Sequence, residues 1–217
     1  ICTLNSLLKY AKFSTDAAIA ENPPPANVIL EVDAKFVYIS TDYVFDGTAH
    51  IPYQETEPTC PNSVYGNTKL AGEQKALAFC TRSMVIRTAW LYSTFGNNFV
   101  KTMLRLGQER EALGVVFDQI GSPTYAADLA VAIFAAIESP EWQAGVYHFT
   151  NEGVCSWFDF AKMIAKISKQ NLCDIKPCHN DEFPSPVVRP SYSVLDKTKI
   201  KEVFDLKIAS LFLLVIT

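Results

Sequence analysis

From Lys35 onward, short β-branched or aromatic runs alternate with longer amphipathic stretches, the rhythm of parallel βαβ units. Lys35 to Ser40 (KFVYIS) reads as a buried strand. Ser63 to Phe79 reads as a helix, with Leu70, Gln74 and Leu77 continuing one face, and Met84 to Thr88 (MVIRT) as the next strand. Phe99 to Arg110 predicts a second helix and Val115 to Phe117 a short strand. Ala126 to Glu138 predicts a third helix, with Asp128 near its first turn, where an acidic side chain suits the dipole. Gly145 to Phe149 is strand-like. Ser156 begins another helix, with Asp159 three positions on, close to a capping box. The expected fold class is α/β: a partial doubly wound parallel sheet of Rossmann type with a small C-terminal lobe.

The same pattern divides the chain. Residues 1–34 carry Pro23-Pro24-Pro25 and a helix-like stretch without a partner strand, so they stand apart as an atypical N-terminal segment. Residues 35–150 hold the sheet-forming rhythm. Residues 151–207 form the lobe, because Pro177, Pro184, Pro186 and Pro190 punctuate an irregular segment after Lys169, before a last helix that Asp196 can cap. Residues 208–217 are an apolar tail, far short of the ~20 residues a membrane-crossing helix needs. No membrane association is expected.

Composition narrows the classes. A chain of 217 residues that is 49% hydrophobic and 12% aromatic supplies a real core. Nineteen basic against twenty-three acidic side chains give a net charge of -4, with no Lys/Arg cluster to neutralise a row of phosphates, which argues against nucleic acid as a partner. The six cysteines are scattered and show no CxxC pair. They suit free thiols in a reducing cytosol, so the expected location is cytoplasmic. Cys173 and Cys178-His179 do not match a zinc knuckle, and no metal is expected.

Two places carry candidate chemistry. Ser40-Thr41-Asp42-Tyr43 lies where the first strand ends, the edge at which doubly wound sheets place their ligands, although such a triplet also caps ordinary turns. Tyr65 and Lys69 are four apart on a helix, so a phenol and an ammonium share one face. A free phenol titrates near ~10, and a neighbouring cation favours the phenolate, each unit of pKa being worth about 1.4 kcal/mol. Tyr65 is therefore a usable general acid. His50, His148 and Asp118 receive no chemistry, and Glu55-Thr56-Glu57 reads as a solvated loop.

Five ordered blocks now take on meaning together: YISTDYVFDG, PNSVYGNTKLAGE, VIRTAWLYSTFGNNFV, FDQIGSPTYAADLA and RPSYSVLDKTKI. In order and spacing the chain resembles the dTDP-4-dehydrorhamnose reductases, extended short-chain dehydrogenase/reductases. The resemblance implies hydride transfer from NADPH or NADH to the C4 ketone of dTDP-4-dehydro-6-deoxy-L-mannose, giving dTDP-L-rhamnose. It implies Tyr65 as proton donor, Lys69 as partner of the nicotinamide ribose, and Thr41 on the reacting oxygen, with Ser40 beside the cofactor. Asp42, Tyr43 and Trp90 would line the deoxysugar pocket, a plain core position being the ordinary alternative for Trp90. Asn98, Gln119 and Arg189 would serve the pyrophosphate and nucleotide, Arg being shaped for bidentate phosphate contact. A dTDP-deoxysugar is the implied partner, and a homodimer is compatible with the resemblance.

The ends depart from that family. A G-x-x-G-x-x-G turn should follow its first strand and hold the cofactor pyrophosphate, yet this chain has no glycine before Gly47. The tail turns into ASLFLLVIT. A truncated or mis-spliced product of a reductase gene, binding NADPH poorly, is the expectation these ends motivate. Two further readings remain: a protein like the regulatory beta subunit of methionine adenosyltransferase, which resembles the same reductases, and another nucleotide-sugar epimerase or dehydratase, which would share Tyr65 and Lys69.

Overall fold

The computed structural model describes residues 34–170, 173–182 and 189–210. The expectations for residues 1–33, for the tail beyond Ser210 and for Pro184 and Pro186 lie outside them. In chain order the elements are β1 (Phe36–Thr41), a 3-10 turn (Asp42–Val44), α1 (Val64–Phe79), β2 (Ser83–Thr88), β3 (Leu91–Tyr92), α2 (Phe99–Glu109), β4 (Ala112–Val116) and β5 (Ile120–Gly121). There follow β6 (Thr124–Tyr125), α3 (Ala126–Glu138), β7 (Gly145–His148), β8 (Cys155–Ser156), α4 (Trp157–Ser168), β9 (Asp174–Cys178), a second 3-10 turn (Asn180–Glu182) and α5 (Thr198–Phe204).

The central sheet is parallel, in the order β1-β2-β7, with Ser40 opposite Arg87 and Arg87 opposite His148. Strand alternation sends Tyr38 and Val85 to one face, where they pack on Ala76 of α1. Met84, Ile86 and Tyr147 go to the other face, against Leu129, Ala132 and Ala136 of α3. Helices on both faces of a parallel sheet make this the expected α/β doubly wound arrangement. A second apolar core joins Met103 of α2, Val115 of β4, Phe160 and Ile164 of α4 and Ile175 of β9. Ile200 of α5 returns to the core of the central sheet, and Glu152 pairs with Ala209 through a backbone hydrogen bond of 3.0 Å.

Local signals placed the elements well, and the Ser156–Asp159 capping box is present on α4. Three expectations change. The stretch after Lys169 is not wholly irregular, because β9 runs parallel to β4 through Pro177; β9 pairs only with β4 among the described residues, so the missing N–H costs no second ladder bond. Glu55 is not simply solvated: its Oε1 accepts the His148 N–H at 3.1 Å. And Leu70, partly buried against Val44, Phe45, Tyr53 and Leu195, does not share a buried face with Gln74 and Leu77 on α1. The inward face of α1 is Gly66, Lys69, Gly72, Glu73 and Ala76, while Gln74 and Leu77 are exposed.

The reason is an ion pair. Glu73 takes two hydrogen bonds from Arg87 Nε, at 2.9 and 3.2 Å, and one from Nη2 at 2.8 Å, with both side chains at most 5% exposed. A buried carboxylate without this fork would carry a large desolvation cost, so the pair dictates the rotation of α1 about its axis. Arg87→Leu leaves Glu73 buried and unpaired and is expected to cost about 3–5 kcal/mol in urea unfolding, most of it regained when Glu73 is also made apolar. A single variant as stable as the parent would contradict this account.

His148 ends β7 in the same polar row, its Nδ1 3.1 Å from the Tyr53 carbonyl. Burial, reinforced by the Arg87 guanidinium, pushes its pKa down to about 3. The folded state therefore holds it neutral, whereas the unfolded chain protonates near ~6.5. Stability from this residue is complete above that value and is lost as pH falls toward about 3. His148→Gln should flatten the acid side of the stability profile measured by thermal melts between these limits, and an unchanged profile would count against it.

Candidate active site

Parallel strands that end at the same level leave a crevice beyond their carboxyl ends, and this chain has a cavity there of about 490 Å³. Its wall is built in order along the sequence: Ser40 and Thr41 from the end of β1, Asp42 and Tyr43 from the turn, Tyr65 and Lys69 from α1, Thr88 from the end of β2, Trp90 and Leu91 beyond it, and Arg189. Eight of the ten candidate residues thus meet in one place. Asn98 and Gln119 do not. Asn98 caps α2, accepting from Lys101 N–H at 3.2 Å and donating to the Ser93 carbonyl at 2.7 Å; Gln119 is buried and donates to Asn180 Oδ1 at 2.6 Å.

The Tyr65–Lys69 pair is set by the start of α1. Ser63 is the N-cap, its hydroxyl accepting the Gly66 N–H at 3.0 Å, which fixes where the helix begins and puts Tyr65 in the first turn. Tyr65 is half exposed and meets the Tyr43 ring edge-on, with 5.5 Å between centroids. Lys69 is buried, donates from Nζ to the Ile39 carbonyl at 2.8 Å and lies over the Tyr38 ring. A partly solvated phenol and a buried ammonium one turn apart therefore share the cavity wall.

Thr41 is tied on both sides: its Oγ1 accepts the Tyr43 N–H at 3.2 Å and donates to Asp42 Oδ1 at 2.9 Å. Asp42 is itself only 3% exposed, and burial raises its pKa to about 7 despite the hydrogen bond from Thr41. Burial and the Asp42 charge also raise the Tyr43 phenol, with Arg189 opposing.

Two glycines make close approaches possible. A Cβ on Gly66 would fall 2.2 Å from the Tyr43 carbonyl oxygen. Gly47, at a φ of +82°, would place one 2.5 Å from Pro190 Cβ, so the absence of a side chain there lets Pro190 pack down and deliver Arg189 to the cavity. Trp90 holds a left-handed backbone, φ 49°, and stacks on Trp157 with 3.6 Å between centroids. Such a conformation in a bulky residue persists only where its surroundings enforce it. Trp157, Thr88, Leu91 and Ser193 were not singled out from the sequence. Thr88 could have been, since it closes the MVIRT strand at the same sheet edge; the others lack a local signal.

The profile of the RmlD substrate binding domain family matches residues 21–211. The chain belongs to this family. Over 185 residues it is 42% identical to a dTDP-4-dehydrorhamnose reductase of Salmonella typhimurium, covering 81% of this chain and 62% of that protein. It is 42% identical over 171 residues to the spore coat polysaccharide biosynthesis protein SpsK of Bacillus subtilis, covering 79% of this chain and 59% of that one. The solved dTDP-4-dehydrorhamnose reductase of Bacillus anthracis, in complex with NADP, superposes with a TM-score of 0.81 at 43% identity, over 88% of this chain and 66% of that one. This RmlD-family chain thus spans about three fifths of the length of the curated relatives it matches.

Because an alanine favours a helix interior over glycine by about 1 kcal/mol, Gly66→Ala would stabilise α1 of this RmlD-family domain if helix propensity alone mattered. The clash with backbone reverses the sign. A loss of about 1–3 kcal/mol or more is expected in thermal or urea unfolding, and any gain would show that the turn carrying Tyr43 is free to retreat.

Proposed function

We propose that this chain carries the proton-donating and sugar-binding wall of an NADPH- or NADH-dependent dTDP-4-dehydrorhamnose reductase, a cytoplasmic biosynthetic enzyme that converts dTDP-4-dehydro-6-deoxy-L-mannose to dTDP-L-rhamnose. The observation that carries the reading is the single cavity uniting Thr41, Tyr65 and Lys69 at the carboxyl end of the sheet. The reductases among its relatives, at about 40% identity, favour it over an epimerase, a dehydratase or a methionine adenosyltransferase beta subunit.

The residues present fit the nicotinamide-ribose end of the cofactor. Ser40 Oγ is buried without a hydrogen-bond partner among the described residues, and the Lys69 ammonium stands on the same wall. A cradle for the pyrophosphate is not among the described residues. When bound, the nicotinamide supplies the hydride. Tyr65, open to the cavity, gives its phenolic proton to the C4 oxygen, and the Lys69 charge stabilises the phenolate that remains. Trp90, Leu91 and Tyr43 offer an apolar wall to the deoxysugar ring, and Arg189 a fork for phosphate oxygens.

The test follows NADPH absorbance with dTDP-4-dehydro-6-deoxy-L-mannose at saturating cofactor. Tyr65→Phe removes only the proton and should lower kcat by about 10²–10⁴-fold with little change in sugar-nucleotide binding. A variant that turns over at the parental rate would defeat the assignment.

A further inference from the structure

A hydroxyl that both donates and accepts has a direction, and the direction of Thr41 is not what a ketone needs. Its proton is committed to Asp42 Oδ1 at 2.9 Å, and one lone pair is taken by the Tyr43 N–H at 3.2 Å. What Thr41 can still offer a ligand is its remaining lone pair. That suits a sugar hydroxyl, which donates; a carbonyl oxygen or alkoxide requires a donor. The Thr41 proton can turn toward the cavity only if Asp42 loosens its hold.

Asp42 is placed to do so. It is 3% exposed, it lies next to Thr41 on the cavity wall, and its second oxygen, Oδ2, has no hydrogen-bond partner among the described residues. A buried carboxylate with one oxygen unsatisfied carries a desolvation cost that the neutral acid avoids, while the bond from Thr41 favours the ionised form. The two effects oppose each other within one side chain. The groups around it are the Ser193 hydroxyl and the Tyr43 phenol, with Tyr65 and Lys69 on the wall from α1 and Arg189 completing it. The balance falls at about pH 7.

We propose that Asp42 is a positioning residue that sets the direction of the Thr41 hydroxyl: ionised, it holds the Thr41 proton and leaves Thr41 to accept from a sugar alcohol, and neutral, it frees the Thr41 proton to donate to a sugar carbonyl. This rests on the reading of the cavity as a dTDP-sugar site. No bond to carbon changes. One proton is exchanged between Asp42 and solvent, and one hydrogen bond reverses. Asp42 then acts on the sugar through Thr41, not by direct contact as the resemblance implied.

The first test needs no turnover. The ligand-free chain, labelled with ¹³C at the aspartate carboxyls, is titrated by NMR, the Asp42 signal being the one missing in Asp42→Asn. A midpoint near neutrality is expected. Thr41→Val, which removes the hydroxyl that favours the carboxylate, should move it upward, and Thr41→Ser should restore it. A midpoint in the ordinary aspartate range, or one that a folded Thr41→Val does not move, overturns the proposal. The second test is calorimetry with dTDP-L-rhamnose, an alcohol, above and below the midpoint. Binding should be several-fold tighter above it, with the difference gone in Asp42→Asn, and equal affinity at both pH values sinks the switch. Absence of binding at either pH defeats the functional reading, and the link between carboxyl and hydroxyl is then judged by the titration alone.

Discussion

The buried fork between Glu73 and Arg87 is the constraint on which the rest of the structure depends. It ties α1 to the middle strand of the sheet at a depth where neither charge is tolerable alone. Since Glu73 follows Lys69 by one turn and Tyr65 by two, locking Glu73 against Arg87 also settles where the ammonium and the phenol stand. An apolar stripe would allow α1 to rock, because hydrophobic contact has no direction. A bidentate pair does not.

Around that joint the chain brings unlike pieces to one edge. The ends of β1 and β2 contribute short polar side chains: Thr41 is held by Asp42 and the Tyr43 N–H, Thr88 by the Thr124 hydroxyl, and Ser40 has no partner among the described residues. Trp90, held by its stack on Trp157, forms a wall reaching toward the second core. Arg189 arrives from a distant segment through the Gly47–Pro190 contact. The cavity is therefore closed on one side by the sheet and on the others by parts that no single element supplies, as is usual for a crevice at the carboxyl edge of a parallel sheet.

The polar row Ser40, Arg87 and His148 crosses the sheet on the α1 face, and each of the three side chains has a polar atom without a hydrogen-bond partner among the described residues. Natural interiors satisfy nearly all such groups, so their clustering at this end of the sheet is the mark of a region that does polar work.

What the sequence determined by itself is what local chemistry governs. Strand and helix positions, the Ser156–Asp159 box and the one-turn spacing of Tyr65 and Lys69 depend on residues within a few positions of each other, and they are legible in order along the chain. The five blocks pointed to the family for the same reason: each is a short contiguous run. Only the tertiary structure decided which face of α1 turns inward, because that depends on Arg87, fourteen residues beyond Glu73 and on another element. Asn98 shows the limit from the other side, since the local demand of the α2 terminus claims its side chain. Membership of the cavity and the stack on Trp157 follow from contacts between segments far apart in sequence, and no periodicity along the chain encodes a contact of that kind.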